Sequence, residues 1–284
     1  MLRKSRKTEL VLALAAIFCV GSGQCAAQEN KDWLRKKSSF RSLDADAEQK
    51  LFMTLPQVSR LALKPGDILL KKDYRVYEGK ASPVINAQKA FRATRGSKFT
   101  THAILYIGNG RISESIADNP GGVWNRTLDH YGPDSPAYKK TDGAFVLVYR
   151  CQNETSVQRA IDCAQALAQT GWVANGPMTA KITYSMKNCM GAFIGNSREF
   201  GTKAKNDATN LTQAVTGSRP IAFGSRPLKE MMCSEFVSFC FQNGYPTHPV
   251  EIALDAHRTA PIRLEEYLNT HGNFALLGRI GWNQ

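Results

Sequence analysis

The chain has no apolar run long enough to span a bilayer, and its one sustained hydrophobic stretch lies near the N-terminus. This stretch, LVLALAAIFCVG at residues 10–21, follows four basic residues and precedes small residues that end at Ala27. A bilayer span needs about 20 apolar residues, whereas a shorter run between a basic start and small residues is typical of a secretory signal. We therefore predict that residues 1–27 are a signal peptide, which directs export across the inner membrane and residence in the periplasm.

The chain also lacks a small residue directly before either of its first two cysteines. Phe18 precedes Cys19 and Gln24 precedes Cys25. A lipoprotein would carry a small residue just before the acylated cysteine, so we do not expect lipidation.

Acidic residues are few relative to basic ones. The chain has 37 lysines and arginines against 24 acidic residues, a net charge of +13. Removing residues 1–27 takes away four basic residues and one acidic residue, which leaves +10. Such a charge favours anionic surfaces, including wall polymers and membranes. The basic residues are not interleaved with aromatic residues in a recognisable nucleic-acid module, so we expect no nucleic-acid partner.

Cysteines are scarce once the predicted signal is removed. Five remain: Cys151, Cys163, Cys189, Cys233 and Cys240. An odd number in an exported chain leaves at least one thiol unpaired within it. The first three are available for one disulfide, and the pairing stays open, although a bridge between Cys151 and Cys163 would close a short loop.

The chain has no internal repeat, and its predicted strands and helices do not alternate regularly. Strands are predicted at residues 66–70, in a hairpin at 99–116 and at 144–150, a mixture that favours an α+β fold over a parallel doubly wound sheet. Between the signal and the main domain, residues 28–59 are predicted to form a basic leader and an N-terminal helix that begins near Ser42 or Asp44. Residues 60–284 form the main domain.

One region of that domain, residues 185–230, has few long apolar runs. It is rich in glycine, serine, asparagine and lysine. Loops of such length are uncommon unless they are functional, so we interpret it as an insertion or a loop that covers a cleft.

The segment MMCSEFVSFCFQNGY at residues 231–245 predicts an amphipathic helix with Cys233 in its first turn. Phe236, Val237 and Cys240 follow Cys233 at helical spacing. The exposed N–H groups of a helix N-terminus stabilise negative charge, which favours a thiolate. Cys233 is therefore a candidate nucleophile, whereas Cys240 is predicted to be a core residue. From this segment alone, a packing role for Cys233 remains the alternative.

The hairpin FTTHAILYIGNGRISES at residues 99–115 carries the candidate base, His102, and an acid on its return strand, Glu114. If the loop is a tight two-residue turn, Glu114 opposes Leu105 and points away from the histidine. If a bulge adds one residue, Glu114 opposes Ile104 and joins the face of His102. In that register the carboxylate can orient the imidazole and favour its protonated form.

Together, the segments PGDILL, FTTHAILYIGNGRISES, GGV and, far downstream, CSEFV resemble the circularly permuted NlpC/P60 group of papain-like cysteine hydrolases, the YiiX/YebB-like proteins. In ordinary NlpC/P60 enzymes the cysteine helix precedes the sheet, and here it follows the sheet, which is the mark of the permuted group. The resemblance covers residues 60–280. It implies an antiparallel sheet packed against the helix that bears the catalytic cysteine.

The same resemblance implies roles for four residues. Cys233 is the nucleophile, His102 the base and Glu114, twelve positions after the histidine, the third polar residue. Tyr184, in KITYSM, resembles a tyrosine that lines the relatives' cleft and either contacts substrate or helps to hold the oxyanion; an ordinary buried tyrosine is its alternative. The long stretch that follows, with Cys189, departs from the family pattern. The resemblance implies no metal and no cofactor.

Three functions remain in view at this point. The first is hydrolysis of amide bonds in cell-wall peptides through an acyl-thioester. The second keeps the thioester chemistry on lipid substrates, because the permuted arrangement also resembles lecithin:retinol acyltransferase-like proteins. The third is a non-catalytic binding module on the same fold, against which the presence of all three candidate catalytic residues argues.

Overall fold

The computed structural model of the protein describes residues 44–74, 83–90, 97–117, 121–131, 144–171, 182–184, 192, 199–217, 222–223, 226–227 and 230–281. The predicted signal peptide and Cys189 lie outside these ranges. Within them, no helix combines the length and the apolar character that crossing a membrane requires.

The described residues form six α-helices and ten strands, with three short 3₁₀ helices. The α-helices are α1 Ala45–Met53, α2 Pro83–Ala90, α3 Glu154–Gly171, α4 Thr202–Val215, α5 Cys233–Cys240 and α6 Pro261–Thr270. The long strands are β1 Ile68–Asp73, β2 Thr100–Gly108, β3 Arg111–Ile116, β4 Gly122–Thr127, β5 Ala144–Cys151 and β10 Phe274–Gly281. The two-residue strands are β6 Thr183–Tyr184, β7 Ala222–Phe223, β8 Arg226–Pro227 and β9 Glu230–Met231. The 3₁₀ helices are Arg60–Ala62, Leu128–Tyr131 and Ala256–Arg258.

The long strands form one six-stranded sheet in the order β10-β5-β1-β2-β3-β4. Every neighbouring pair in this sheet is antiparallel. The strand that closes one edge, β10, comes from the end of the chain, after the helices. These findings confirm the predicted α+β class with an antiparallel sheet.

Both faces of the central strands are buried, in two separate apolar clusters. Ile68 and Leu105 belong to the larger cluster, which also contains residues of α1, α3, α4, α5 and α6. Leu69 and Ile104 belong to the smaller cluster. Because side chains alternate along a strand, the two clusters lie on opposite faces of the sheet. Helix α5 is therefore a core element that packs in the cluster on one face of the sheet.

The N-terminal helix α1 begins where the sequence predicted and packs into the same core. The Asp44 carboxylate accepts a hydrogen bond from the Ala47 N–H at 2.7 Å, which satisfies one of the free donors of the first turn. Phe52, one turn before Pro56, is fully buried in the larger cluster. This helix is thus part of the folded domain.

Strand β1 differs from its prediction at both ends. The apolar run predicted a strand over residues 66–70, but β1 begins at Ile68 and continues over two lysines to Asp73. Lys72 is fully buried, where its ammonium group meets the Glu265 carboxylate of helix α6 at 2.7 Å. The strand continues because a tertiary partner compensates the charge, and that partner lies 193 residues away in the sequence.

Candidate active site

The β2–β3 hairpin adopts the register in which Glu114 can reach His102, by a route that combines both predicted alternatives. Residues 109 and 110 form a two-residue turn, with φ values of 53° and 69°. An extra residue at Ile107 then shifts β2 by one position against β3. Continuing the pairing, Glu114 lies opposite Ile104, as predicted for a bulged hairpin.

The imidazole of His102 and the carboxylate of Glu114 are in direct contact. His102 Nε2 lies 2.6 Å from Glu114 Oε2. The Glu114 side chain is fully buried, and the His102 side chain is 14% exposed. A second extra residue, Thr101, immediately precedes His102 in the pairing of β1 with β2. Bulges bend a strand and redirect the side chains beside them, which explains why two of them flank this site.

Cys233 is the first residue of helix α5, and the segment before it is firmly held. The Ser115 hydroxyl, next to Glu114 on β3, donates a hydrogen bond to the Met231 carbonyl at 2.7 Å. The Met232 N–H donates to a carboxylate oxygen of Glu235 at 3.1 Å. The strand that carries the acid is therefore joined directly to the turn that carries the thiol.

Charge links the sulfur, the ring and the carboxylate. Burial by itself would lower the pKa of His102, but a hydrogen bond and charge interaction with Cys233, followed by those with Glu114, outweigh burial and raise that pKa to about 10. The ring is therefore charged at neutral pH. Because Nε2 faces Glu114, we infer that Nδ1 faces the sulfur. The stabilisation gained from this charged ring is full below a pH of about 6.5 and is lost as the pH rises through about 10.

A fourth charged residue, Arg126 on β4, lies behind the carboxylate. Its Nε is 4.0 Å from Glu114 Oε1, and its guanidinium group lies over the Trp124 ring, 5.1 Å from the ring centroid. The guanidinium group therefore adds a positive charge on the side of Glu114 that carries Oε1. Sequence analysis missed Arg126, because the strand pairing that brings β4 beside β3 is not evident in the sequence.

The structure places Tyr184 beside the segment that leads into Cys233. Strand β6 pairs in parallel with β9, which sets Tyr184 level with Met231. The partly buried Tyr184 also packs against a small apolar cluster that includes Met232 and Ala260. Its predicted contact with substrate or oxyanion remains a prediction.

All four described cysteines, Cys233 included, are buried thiols. Cys151 and Cys163 are both free, so the disulfide considered between them is not formed. Cys163 interacts directly with the thiol of Cys240 on helix α5 instead. Cys240 is fully buried, as the helical pattern predicted.

These differences predict selective alkylation of Cys233. Burial raises the pKa of the Cys151 thiol to about 11, and burial followed by contact with Cys163 raises the pKa of Cys240 well above its usual range. Of these four described thiols, Cys233 is the one that interacts with the His102 ring. Limited treatment with iodoacetamide at neutral pH, followed by peptide mass spectrometry, should therefore label Cys233 before Cys151, Cys163 and Cys240. Equal labelling of these four thiols would contradict the assignment.

Comparison of the chain with models of known protein families and with curated protein sequences gives no match.

Proposed function

We propose that the protein is an exported cysteine hydrolase that cleaves amide bonds in cell-wall peptides, with Cys233, His102 and Glu114 as its catalytic residues. We further propose that its fold is the permuted NlpC/P60 arrangement of the papain-like hydrolases. The order of elements supports this, since an antiparallel sheet that carries the histidine and the acid comes first and the cysteine helix follows.

The observation that carries the proposal is the single imidazole between a sulfur and a carboxylate. His102 is hydrogen-bonded to the Cys233 side chain and contacts Glu114 at 2.6 Å. A nucleophilic thiol needs a base beside it and a third group that orients the base. Packing alone does not explain a thiol, an imidazole and a carboxylate placed in sequence. A buried charged pair is also costly unless its members compensate each other.

Acylation begins once the proton of the Cys233 thiol has been transferred to His102. The thiolate attacks the amide carbonyl, and the carbonyl oxygen takes the negative charge close to the backbone N–H of Cys233 at the helix N-terminus. When the C–N bond breaks, the imidazolium gives its proton to the leaving amine. The products of this half-reaction are the free amine and an acyl-thioester on Cys233.

Deacylation uses the same imidazole ring, which now acts on a water molecule. His102 takes a proton from a water molecule, whose oxygen attacks the thioester carbonyl. The C–S bond breaks, the acyl group leaves as a carboxylic acid, and the sulfur recovers the proton from the imidazolium. Glu114 keeps the ring in one orientation throughout and stabilises its charged form.

Wall peptides fit this chemistry because of the compartment and the charge. Amide bonds are abundant in the wall peptides that an exported protein meets, and a net charge of +10 after signal removal favours anionic wall polymers.

The test compares products from two substrate classes. The mature protein is incubated separately with muropeptides and with phospholipid vesicles, and the products are identified by mass spectrometry. We expect muropeptide fragments with new amine and carboxyl ends. Cys233→Ala should release none, and the matched control Cys151→Ala, which removes a buried thiol on another element, should behave like the wild type.

Two outcomes would change the proposal. Fatty acid or transferred acyl chains from phospholipid, without muropeptide products, would assign lipid substrates to the same thioester chemistry. Equal product release by the wild type and by Cys233→Ala, or no release from either substrate class, would overturn the proposed function.

A further inference from the structure

A second histidine lies between two carboxylates, one of which belongs to the cysteine helix. His257, in the 3₁₀ helix Ala256–Arg258, contacts Glu235 of α5 through Nδ1. Its Nε2 lies 3.5 Å from Asp207 Oδ2 on helix α4. Neither carboxylate belongs to the catalytic residues proposed above. Because both ring nitrogens face acids, the doubly protonated imidazolium is the form that donates on both sides.

Glu235 connects this cluster to the nucleophile. It lies two residues after Cys233 in the first turn of α5 and is fully buried. One of its oxygens contacts His257, and the other accepts the N–H of Met232, the residue directly before Cys233. A shift of this carboxylate therefore moves the turn that holds the sulfur.

The charge of Glu235 also matters for the thiolate. A helix N-terminus stabilises an anion, but a second negative charge in the same turn competes for that stabilisation. A charged His257 compensates Glu235 and leaves the helix N-terminus available to Cys233. A neutral His257 would leave a buried carboxylate close to the sulfur.

The acidic groups around His257 favour its charged form. From α5 it faces Glu235 and the Phe239 ring, which lies nearly perpendicular to the imidazole with 5.1 Å between the ring centroids. From α4 it faces Asp207, which Lys203 also contacts at 3.0 Å. On its own segment, Arg258 pairs with Asp255 at 3.9 Å. Burial would lower the pKa of His257 and Lys203 would lower it further, but Glu235 and then Asp207 outweigh both and raise it.

Helix α4 lies within residues 185–230, the region that sequence analysis interpreted as an insertion. Asp207 is buried on this helix, with 5% of its surface exposed. The cluster is therefore a direct connection between that region and the cysteine helix. In the described part of the chain, no group of three or more histidine, cysteine and acidic side chains is arranged to hold a metal ion.

We propose that Glu235, His257 and Asp207 form a charged latch that holds α4 against α5 and sets how readily Cys233 adopts its thiolate form. The latch makes His257 a positioning residue, and it rests on the proposed role of Cys233 as the nucleophile. Any movement of helix α4 that separates Asp207 from His257 would then lower the reactivity of the thiol.

The test measures the rate of Cys233 alkylation by iodoacetamide at neutral pH in the mature protein. Asp207→Asn should slow this rate by about threefold or more, the size typical of coupling through a buried network. The sign is informative, because the direct effect of removing a distant negative charge would be faster alkylation. Asp162→Asn, the same change on the exposed face of α3, is the matched control and should leave the rate unchanged.

A double-mutant cycle separates the latch from a general structural effect. His257→Gln should also slow alkylation, and in that background Asp207→Asn should have no further effect, because the ring that transmits it is gone. A wild-type rate of Cys233 alkylation in the Asp207→Asn variant would overturn the latch. An equal effect of Asp207→Asn in the wild-type and His257→Gln backgrounds would also overturn it. If His257→Gln does not fold, the rate of Asp207→Asn decides alone. The reagent needs no substrate, so the result stands whether or not wall peptides are cleaved.

Discussion

Replacing His102 by glutamine is expected to slow formation of the acyl-enzyme by about 10²- to 10⁴-fold, the usual contribution of a positioned acid–base group. Glutamine occupies a similar volume but can neither take the Cys233 proton nor return it to the leaving amine. The exchange also removes the charge that links the sulfur to Glu114. Single-turnover kinetics on the substrate identified by product analysis measure this step directly.

Two further variants make the result specific. His248→Gln, at an exposed histidine, should retain wild-type rates. Cys233→Ala, with or without His102→Gln, should form no acyl-enzyme, because the sulfur that carries the acyl group is absent. A His102→Gln enzyme within about threefold of the wild type would remove His102 from the mechanism, since one charge-assisted interaction is normally larger than that.

Replacing Lys72 by methionine is expected to lower the free energy of unfolding by about 3–5 kcal/mol, the usual effect of removing one partner from a buried ion pair. Lys72 is fully buried and donates to both oxygens of Glu265 at 2.7 and 2.8 Å and to the Thr100 hydroxyl at 2.8 Å. Its ammonium group also lies 4.3 Å from the centroid of the Phe52 ring. Methionine fills the space but leaves the carboxylate of Glu265 buried without its cation.

Urea denaturation measures this effect, and two companion variants interpret it. Lys50→Met removes an exposed lysine from helix α1 and should change stability by less than about 0.5 kcal/mol, as most exposed substitutions do. Adding Glu265→Gln to Lys72→Met should recover part of the loss, because it removes the uncompensated charge. An unchanged unfolding curve for Lys72→Met would show that the buried network contributes nothing.

The local parts of the site could be predicted from sequence because short-range rules determine them. Apolar spacing after Cys233 predicted a helix with the cysteine in its first turn, and helix α5 begins at that residue. The hairpin was harder. Its glycine and asparagine predicted a turn, but the choice between two registers depended on one extra residue, Ile107, whose position in the pairing the sequence does not reveal.

The buried charges could not be predicted, because their partners are distant in sequence. Lys72 follows an apolar run and would ordinarily mark its exposed end, yet Glu265 compensates it inside the core. Glu235 is part of the CSEFV motif, but its partner His257 belongs to another segment, and Asp207 to a third. One signal was available in the sequence: Glu235 is an acidic residue in the first turn of the helix that carries the candidate nucleophile.

Arg126 could not be predicted as part of the site for the same reason, because its partner is on another strand. From the sequence, Arg126 was not expected to lie near the candidate site. Pairing of β4 with β3 brings its guanidinium group behind Glu114 instead. Such contacts depend on the order of strands in the sheet, which local patterns do not determine.

The most direct test of the central claim is an NMR titration of the His102 ring in the mature wild-type protein and in Cys233→Ser. Interaction with the sulfur and with Glu114 predicts a pKa of about 10 for His102 in the wild type and a clear decrease in the serine variant. A wild-type ring that titrates near 6.5, as an isolated histidine does, and that ignores the serine substitution would contradict the convergence of thiol, imidazole and carboxylate.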